Sequence, residues 1–270
     1  MIASDISRSF KISAACGCSK GNVRGNNEDN FYFNGNYLEA DNDGLEEILG
    51  SSCDTSADPK TAGHFFAVYD GMGGTQYGEI ASFTVASRTE HLIEDYKPEN
   101  AHDVEACLKE MCTALSSAVY RESLELAVNI MGTTMAGYYF YQDRVWCCNV
   151  GDSKCLRQRA GILKQLSVDH NDAESLKLMG ITGRKPSLTQ FLGVDPEELE
   201  VCPDISSYEL IEGDIYLICS DGLTDMVDSD KISSILKDCD NEENMVRALI
   251  DEASVNGGRD NITVIVCRIS

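Results

Sequence analysis

An apolar run that ends on an acid constrains the fold of this chain more than any other feature. Residues 65–74 read FFAVYDGMGG, so Asp70 follows five apolar residues and precedes three glycines around one methionine. A strand that is apolar on both faces is covered by other layers on both sides. We therefore expect Asp70 at the rim of a layered core, where the glycines leave room for a ligand.

Strand-like runs rich in β-branched and aromatic residues alternate with helical patterns. The predicted strands cover 11–16, 30–33, 65–69, 134–141, 144–150, 155–158, 162–167, 214–220 and 261–269. Apolar spacings of three and four predict long helices over about 76–96 and 102–126, and shorter helices over 172–179, 230–237 and 242–255. Consecutive hairpins favour antiparallel sheets, and strands apolar on both faces need a second sheet on one side and helices on the other. The predicted fold is a layered α+β sandwich.

The chain length and the absence of a linker predict a single domain over residues 1–270. Two long connections stand apart within it. Residues 34–63 are predicted to be an acidic loop insertion between two strands, and residues 171–205 a connection that contains a helix. Long connections in a compact domain are often functional, although a tolerated surface loop is the simpler interpretation of the insertion.

The charge of the chain restricts its partners. Lys and Arg number 22 against 45 Asp and Glu, a formal net charge of −23, which disfavours nucleic acid and anionic membrane surfaces as partners. A phosphorylated substrate would also be repelled unless the site carries positive charge, which bound metal ions would supply. No apolar stretch reaches membrane-spanning length, and no export signal opens the sequence, so we expect a cytoplasmic protein. The 12 cysteines form no CxxC pair, which gives structural zinc little support.

Four other segments also place an acid at a strand end beside a small residue. They are RGNNEDNF with Arg24, Glu28 and Asp29, CNVGDSK with Asp152, LICSDGLTD with Asp221, and GGRDNITV with Asp260. Any one of them alone is typical of a turn. Five such sites at strand ends that can meet on one rim favour a shared site. Carboxylates with few His or Cys ligands suit Mg²⁺ or Mn²⁺, and Gly71 would let a backbone carbonyl approach an ion.

These motifs in their order resemble the bacterial form of the metal-dependent serine/threonine protein phosphatases of the type 2C family. The matching segments are VRGNNEDNF, FFAVYDGMGGTQYGE, MGTTMAGYYFYQDRVWCCNVGDSKC, LKQLSVDHN, LTQFLGV, DIYLICSDGLTDMV and GGRDNITVIV. The resemblance implies a four-layer αββα sandwich of two packed antiparallel sheets flanked by helices. It also implies hydrolysis of phosphoserine and phosphothreonine in proteins, by in-line attack of a metal-bridging water or hydroxide on the phosphorus. Such a monomer would reverse signalling by a serine/threonine kinase.

The same resemblance implies roles for the central acids. Asp70 would bridge two Mn²⁺ or Mg²⁺ ions, and the Gly71 carbonyl would bind one of them. Asp221 and Asp260 would bind the other ion. Asp152 would hold a weaker third ion together with Asp221.

Other positions are implied to assist. Arg24 would grip the substrate phosphate, and Glu28 would act on the metal through water, with Asp29 in the same polar network. Asn261 would support these groups from behind.

One position departs from many eukaryotic relatives, which have a histidine proposed as a general acid where this chain has Met72. Residues 171–205 match the family's flap, which we expect to tune substrate choice or third-metal affinity. Two alternatives stay open: a catalytically silent pseudophosphatase that serves as a regulatory binding module, and a phosphatase dedicated to one regulator.

Overall fold

A computed structural model of the chain describes residues 9–56, 63–72 and 77–270. The strands are β1 (Lys11–Ser19), β2 (Asp29–Phe33), β3 (Leu49–Asp54), β4 (His64–Met72), β5 (Gly132–Thr133), β6 (Met135–Tyr141), β7 (Arg144–Val150), β8 (Lys154–Arg159), β9 (Ile162–Gln165), β10 (Asp204–Glu209), β11 (Ile215–Cys219) and β12 (Ile262–Ile269). The helices are α1 (Gly78–Asp95), α2 (Val104–Glu125), α3 (Ala173–Leu178), α4 (Asp221–Thr224), α5 (Ser229–Asp238) and α6 (Glu242–Val255).

These strands form two antiparallel sheets. The first sheet has the order β3-β1-β12-β11-β8-β9, and the second has the order β10-β7-β6-β4-β2, with β5 paired to β4. In the second sheet the register places Asp29 of β2 opposite Asp70 of β4. Two of the predicted acids therefore share one end of one strand pair.

Three apolar clusters show how the layers are stacked. Between the sheets, residues such as Phe66, Tyr138 and Ile265 are fully enclosed. A second cluster packs α1 and α2 on the outer face of the second sheet, and a third packs α4, α5 and α6 on the outer face of the first. Burying each large apolar side chain stabilises the fold by about 1.5–3 kcal/mol. The arrangement confirms the predicted αββα sandwich.

The predicted strands and helices are all present, but three strands and one short helix were not predicted. The prediction of a loop over 34–63 was wrong for residues 49–54, which form β3 and pair with β1. Residues 57–62 of that segment lie outside the described residues, as does Gln76, the predicted start of the first helix. Both β3 and β10 are edge strands. β3 and β10 also carry few large apolar side chains and pair through backbone groups with one neighbour, so their sequences lack the apolar pattern of a strand. Among the described residues, none of the helices combines the length and apolar character needed to cross a membrane.

Candidate active site

The acids predicted at strand ends converge on one cavity of about 250 Å³. Seven of the residues singled out in the sequence line it: Arg24, Glu28, Asp70, Gly71, Asp152, Asp221 and Asp260. The rest of the cavity wall includes Met72, Thr134 and the part of the 171–205 connection that carries Lys185. The structure thus brings together groups that are up to 236 positions apart in the chain, as the Arg24–Asp260 pair shows.

The first sheet contributes two of these acids because of its antiparallel pairing. Asp221 follows the end of β11 and begins α4, whereas Asp260 comes just before β12. β11 and β12 are antiparallel neighbours, with Cys219 opposite Val264, so the end of one lies beside the start of the other. Two acids distant in sequence become neighbours in this way.

Asp70 is held in position through its backbone. Its amide N–H donates to Thr134 Oγ1 at 3.0 Å, and its carbonyl oxygen accepts from the Thr134 amide at 2.9 Å and from Thr133 Oγ1 at 3.0 Å. Thr134 Oγ1 also lies 2.7 Å from Ser153 Oγ. These bonds fix the end of β4 and orient the Asp70 carboxylate toward the cavity that it lines. Sequence reasoning did not identify Thr134.

Gly71 allows three backbone segments to meet beside Asp70. Its amide donates to the Glu28 carbonyl oxygen at 3.1 Å. A Cβ at this position would lie 2.2 Å from the Gly78 carbonyl oxygen and 2.4 Å from the Glu28 carbonyl oxygen. Both distances are far below ordinary van der Waals contact, so only glycine fits between β2 and the start of α1.

Asp29 lies behind the cavity wall rather than in it. It is buried, and its Oδ2 accepts hydrogen bonds from Ser220 Oγ and Thr263 Oγ1, both at 2.7 Å. Thr263 is in β12 of the first sheet and Ser220 directly follows β11 of that sheet, whereas Asp29 begins β2 of the second. The Asp29 carboxylate therefore ties the two sheets together directly beneath the site.

Asn261 also lies outside the cavity lining and holds the loop that carries Glu28. Its Oδ1 accepts from the Glu28 amide at 2.8 Å. Its Nδ2 donates to the carbonyl oxygens of Lys20 at 2.9 Å and Asn26 at 3.0 Å. Three hydrogen bonds from one buried amide hold residues 20–28 against the start of β12.

Burial and mutual repulsion raise the pKa values of several acids in and behind the cavity. Burial, followed by the neighbouring carboxylates, raises the pKa of Asp70 well above its usual value. Burial and then Asp221 raise the pKa of Asp152 to about 6, and burial raises the pKa of Asp29 to about 7. Clustered carboxylates in low dielectric favour protons or other cations. The cluster is therefore suited to bind positive charge.

Two cationic side chains lie among these carboxylates. Arg24 Nη2 is 2.6 Å from Asp260 Oδ2, and Lys185 Nζ is 2.7 Å from Asp221 Oδ2 and 3.5 Å from Asp225 Oδ2. Within the described parts of the chain, no three His, Cys, Asp or Glu side chains are arranged closely enough to hold a metal ion as they stand. Sequence reasoning did not identify Lys185 as a residue of the site. Its one signal was an Arg-Lys pair inside an otherwise acidic chain.

Comparisons with known proteins identify the family. The profile of the Protein phosphatase 2C family matches residues 52–250. The "Serine/threonine phosphatase stp" of Listeria monocytogenes is 32% identical over 210 residues, which cover 74% of this chain and 82% of that protein. The structure of Stp1 from Staphylococcus aureus superimposes with a TM-score of 0.78 at 25% identity, over 95% of this chain and 94% of that one. The chain belongs to the protein phosphatase 2C family.

A third relative was solved with metal. The catalytic domain of the serine/threonine protein phosphatase PstP, in complex with 2 manganese ions, has a TM-score of 0.72 and 27% identity. The match covers 97% of this chain and 99% of that domain.

Proposed function

We propose that this chain hydrolyses phosphoserine and phosphothreonine in proteins, with Mn²⁺ or Mg²⁺ bound in the cavity. The enzyme is a protein serine/threonine phosphatase. The observation that carries the mechanism is the convergence of five acids and one arginine on a single cavity. The chain's own net charge of −23 would repel a phosphate unless such a site concentrates positive charge.

The oxygen donors that line the cavity are of the kind that suits hard divalent ions. We assign the carboxylates of Asp70, Asp221 and Asp260 and the carbonyl of Gly71 as ligands, since oxygen donors are those that Mg²⁺ and Mn²⁺ prefer. The two manganese ions of the related PstP domain support a dinuclear site. Ions held by these residues would supply the positive charge that activates a water as nucleophile and offsets negative charge on the phosphoryl group.

Two further acids are assigned supporting parts. Glu28 lines the cavity and would act on the metal through water, and Asp152 would join Asp221 around a third, weaker ion. Asp29 would act indirectly, because its carboxylate faces two buried hydroxyls.

Arg24 is suited to bind the substrate phosphate. Its side chain is 45% exposed at the cavity, so it can turn from Asp260 toward an incoming group. The hydrogen bond that Arg24 donates to Asp260 raises the pKa of Arg24 further, and the guanidinium stays charged. Its planar fork matches two phosphoryl oxygens at once. Met72 also lines the cavity and has no proton to give, so we propose no acid at that position.

We propose phosphorylated proteins, made by a serine/threonine kinase, as the partners of this enzyme. The charge of the chain argues against nucleic acid and anionic membranes. We further propose a cytoplasmic monomer with one domain over 1–270, in which residues 171–205 form the flap.

Substitution of Asp221 tests the proposal. Asp221→Asn removes a charged ligand, and we expect Mn²⁺ binding to be lost and phosphate release from a phosphothreonine peptide to fall by about a hundredfold or more. Asp251→Asn is the matched control, because Asp251 is exposed on α6 and does not line the cavity. Circular dichroism checks that both variants are folded.

Two results would count against the proposal. Full activity of Asp221→Asn would contradict the ligand assignment. A folded wild-type protein that releases no phosphate, with Mn²⁺ or with excess EDTA, would favour the regulatory binding module instead.

A further inference from the structure

Lys185 brings a positive charge into the part of the cavity assigned to the second metal ion. Its Nζ lies 2.7 Å from Asp221 Oδ2 and 4.0 Å from Asp260 Oδ2. These are the two carboxylates proposed to bind that ion together. An ammonium hydrogen-bonded to one of them and close to the other occupies the space that an ion bound by both would need.

The side chain reaches this position from the flap. We call the part of the flap around Lys185 the flap tip. It is anchored to the start of the flap, where the Ser187 amide donates to Asp172 Oδ1 at 2.7 Å. The Lys185 side chain is 58% exposed, whereas that of Asp221 is only 13% exposed. Lys185 can therefore leave the cavity toward solvent without disturbing the packed core.

The charges also fit an exchange of cations. Three carboxylates, those of Asp221, Asp225 and Asp260, lie within 4.0 Å of Lys185 Nζ. The side chain is thus an ammonium at neutral pH. One Asp221 oxygen can accept a hydrogen bond from this ammonium or bind a divalent ion at close range. It does not do both at once, because the ammonium and the ion are both positive and repel each other at that distance.

We propose that Lys185 competes with the metal: its ammonium takes the place of a divalent ion between Asp221 and Asp260, and metal binding displaces the flap tip. This inference rests on the proposed function, because the ion concerned is one that the phosphatase reaction would use. It links the position of the flap over the cavity to the metal content of the site. It also means that the chain's apparent metal affinity is lower than its carboxylates alone would give.

The test is a calorimetric titration of Mn²⁺ into protein freed of metal by EDTA and dialysis. Lys185→Met removes the charge at similar length, and Lys185→Arg keeps the charge. Arg184→Met is the matched control, since Arg184 is the neighbouring flap cation but lies 3.8 Å from Asp172 and outside the cavity lining.

We expect Lys185→Met to bind Mn²⁺ about tenfold more tightly than wild type, since wild type must first break a charge-assisted hydrogen bond. Arg184→Met should match wild type within about twofold, because exposed ion pairs contribute little. Lys185→Arg should remain close to wild type.

Equal or weaker Mn²⁺ binding by folded Lys185→Met would overturn the inference while leaving the proposed function standing. Binding by Lys185→Met alone, with none by wild type, would support it. If neither folded protein bound Mn²⁺, the proposed metal centre itself would be overturned, and the inference with it.

Discussion

Replacing Gly71 by alanine would press a methyl group against two backbone oxygens at the site. The new Cβ would lie 2.2 Å from the Gly78 carbonyl oxygen and 2.4 Å from that of Glu28. Ordinary contacts are near 3.5 Å, so the start of α1 and the residues before β2 must each move by about 1 Å. Because both obstacles are backbone atoms, no side-chain rotation relieves the contact.

We expect a cost at the upper end of the usual range for overpacking, about 3 kcal/mol in the free energy of unfolding. For a chain of this size that loss lowers the Tm by about 6–12 °C. The shift would also separate Glu28 from Asp70, so Mn²⁺ affinity should fall together with stability.

Thermal unfolding of metal-free protein measures the effect, and Gly25→Ala is the control. A Cβ on Gly25 would meet no heavy atom within 4 Å, so this variant should melt as wild type does. A Gly71→Ala protein whose Tm stays within about 1 °C of wild type would refute the packing argument.

Two further predictions concern the groups behind the cavity. Asn261→Ala removes one accepted and two donated hydrogen bonds, and we expect the free energy of unfolding in urea to fall by about 2–4 kcal/mol; an unchanged midpoint would contradict the bracing role. Burial raises the pKa of Asp29 to about 7, so the folded state binds this proton more tightly than the unfolded state. Metal-free stability should therefore fall as pH rises from about 4 to about 7, by up to about 4 kcal/mol. Asp29→Asn should reduce that fall, and the same pH slope in both proteins would show that Asp29 is not its source.

The parts of the fold that bury apolar surface could be predicted from the sequence. The run at 65–69 and its counterparts carry enough β-branched and aromatic residues to be identified as strands, and each one is present. β3 and β10 were missed because these two edge strands carry few large apolar residues and depend on backbone pairing with one neighbour. Their sequences, LGSSCD and DISSYE, have only one or two large apolar residues each.

The acids of the site could be predicted for a related reason. A side chain at the end of a strand lies at a definite rim of the sheet. A local sequence pattern can therefore indicate that acids far apart in the chain come together at that rim. Lys185 does not lie at the end of a strand. It lies on a connection whose path over Asp221 depends on tertiary contacts, and no periodicity in the sequence reports those contacts.

The division of the cavity between the two sheets has a kinetic consequence. Asp221 and Asp260 adjoin strands of one sheet, and Asp70 and Asp152 belong to or follow strands of the other. Neither sheet alone carries the full set, so the complete ligand set comes together only when the sheets have docked. Interactions that form after the folding transition state slow unfolding and leave the folding rate almost unchanged. We therefore expect bound ions to hold the two sheets together and to slow unfolding of the native enzyme.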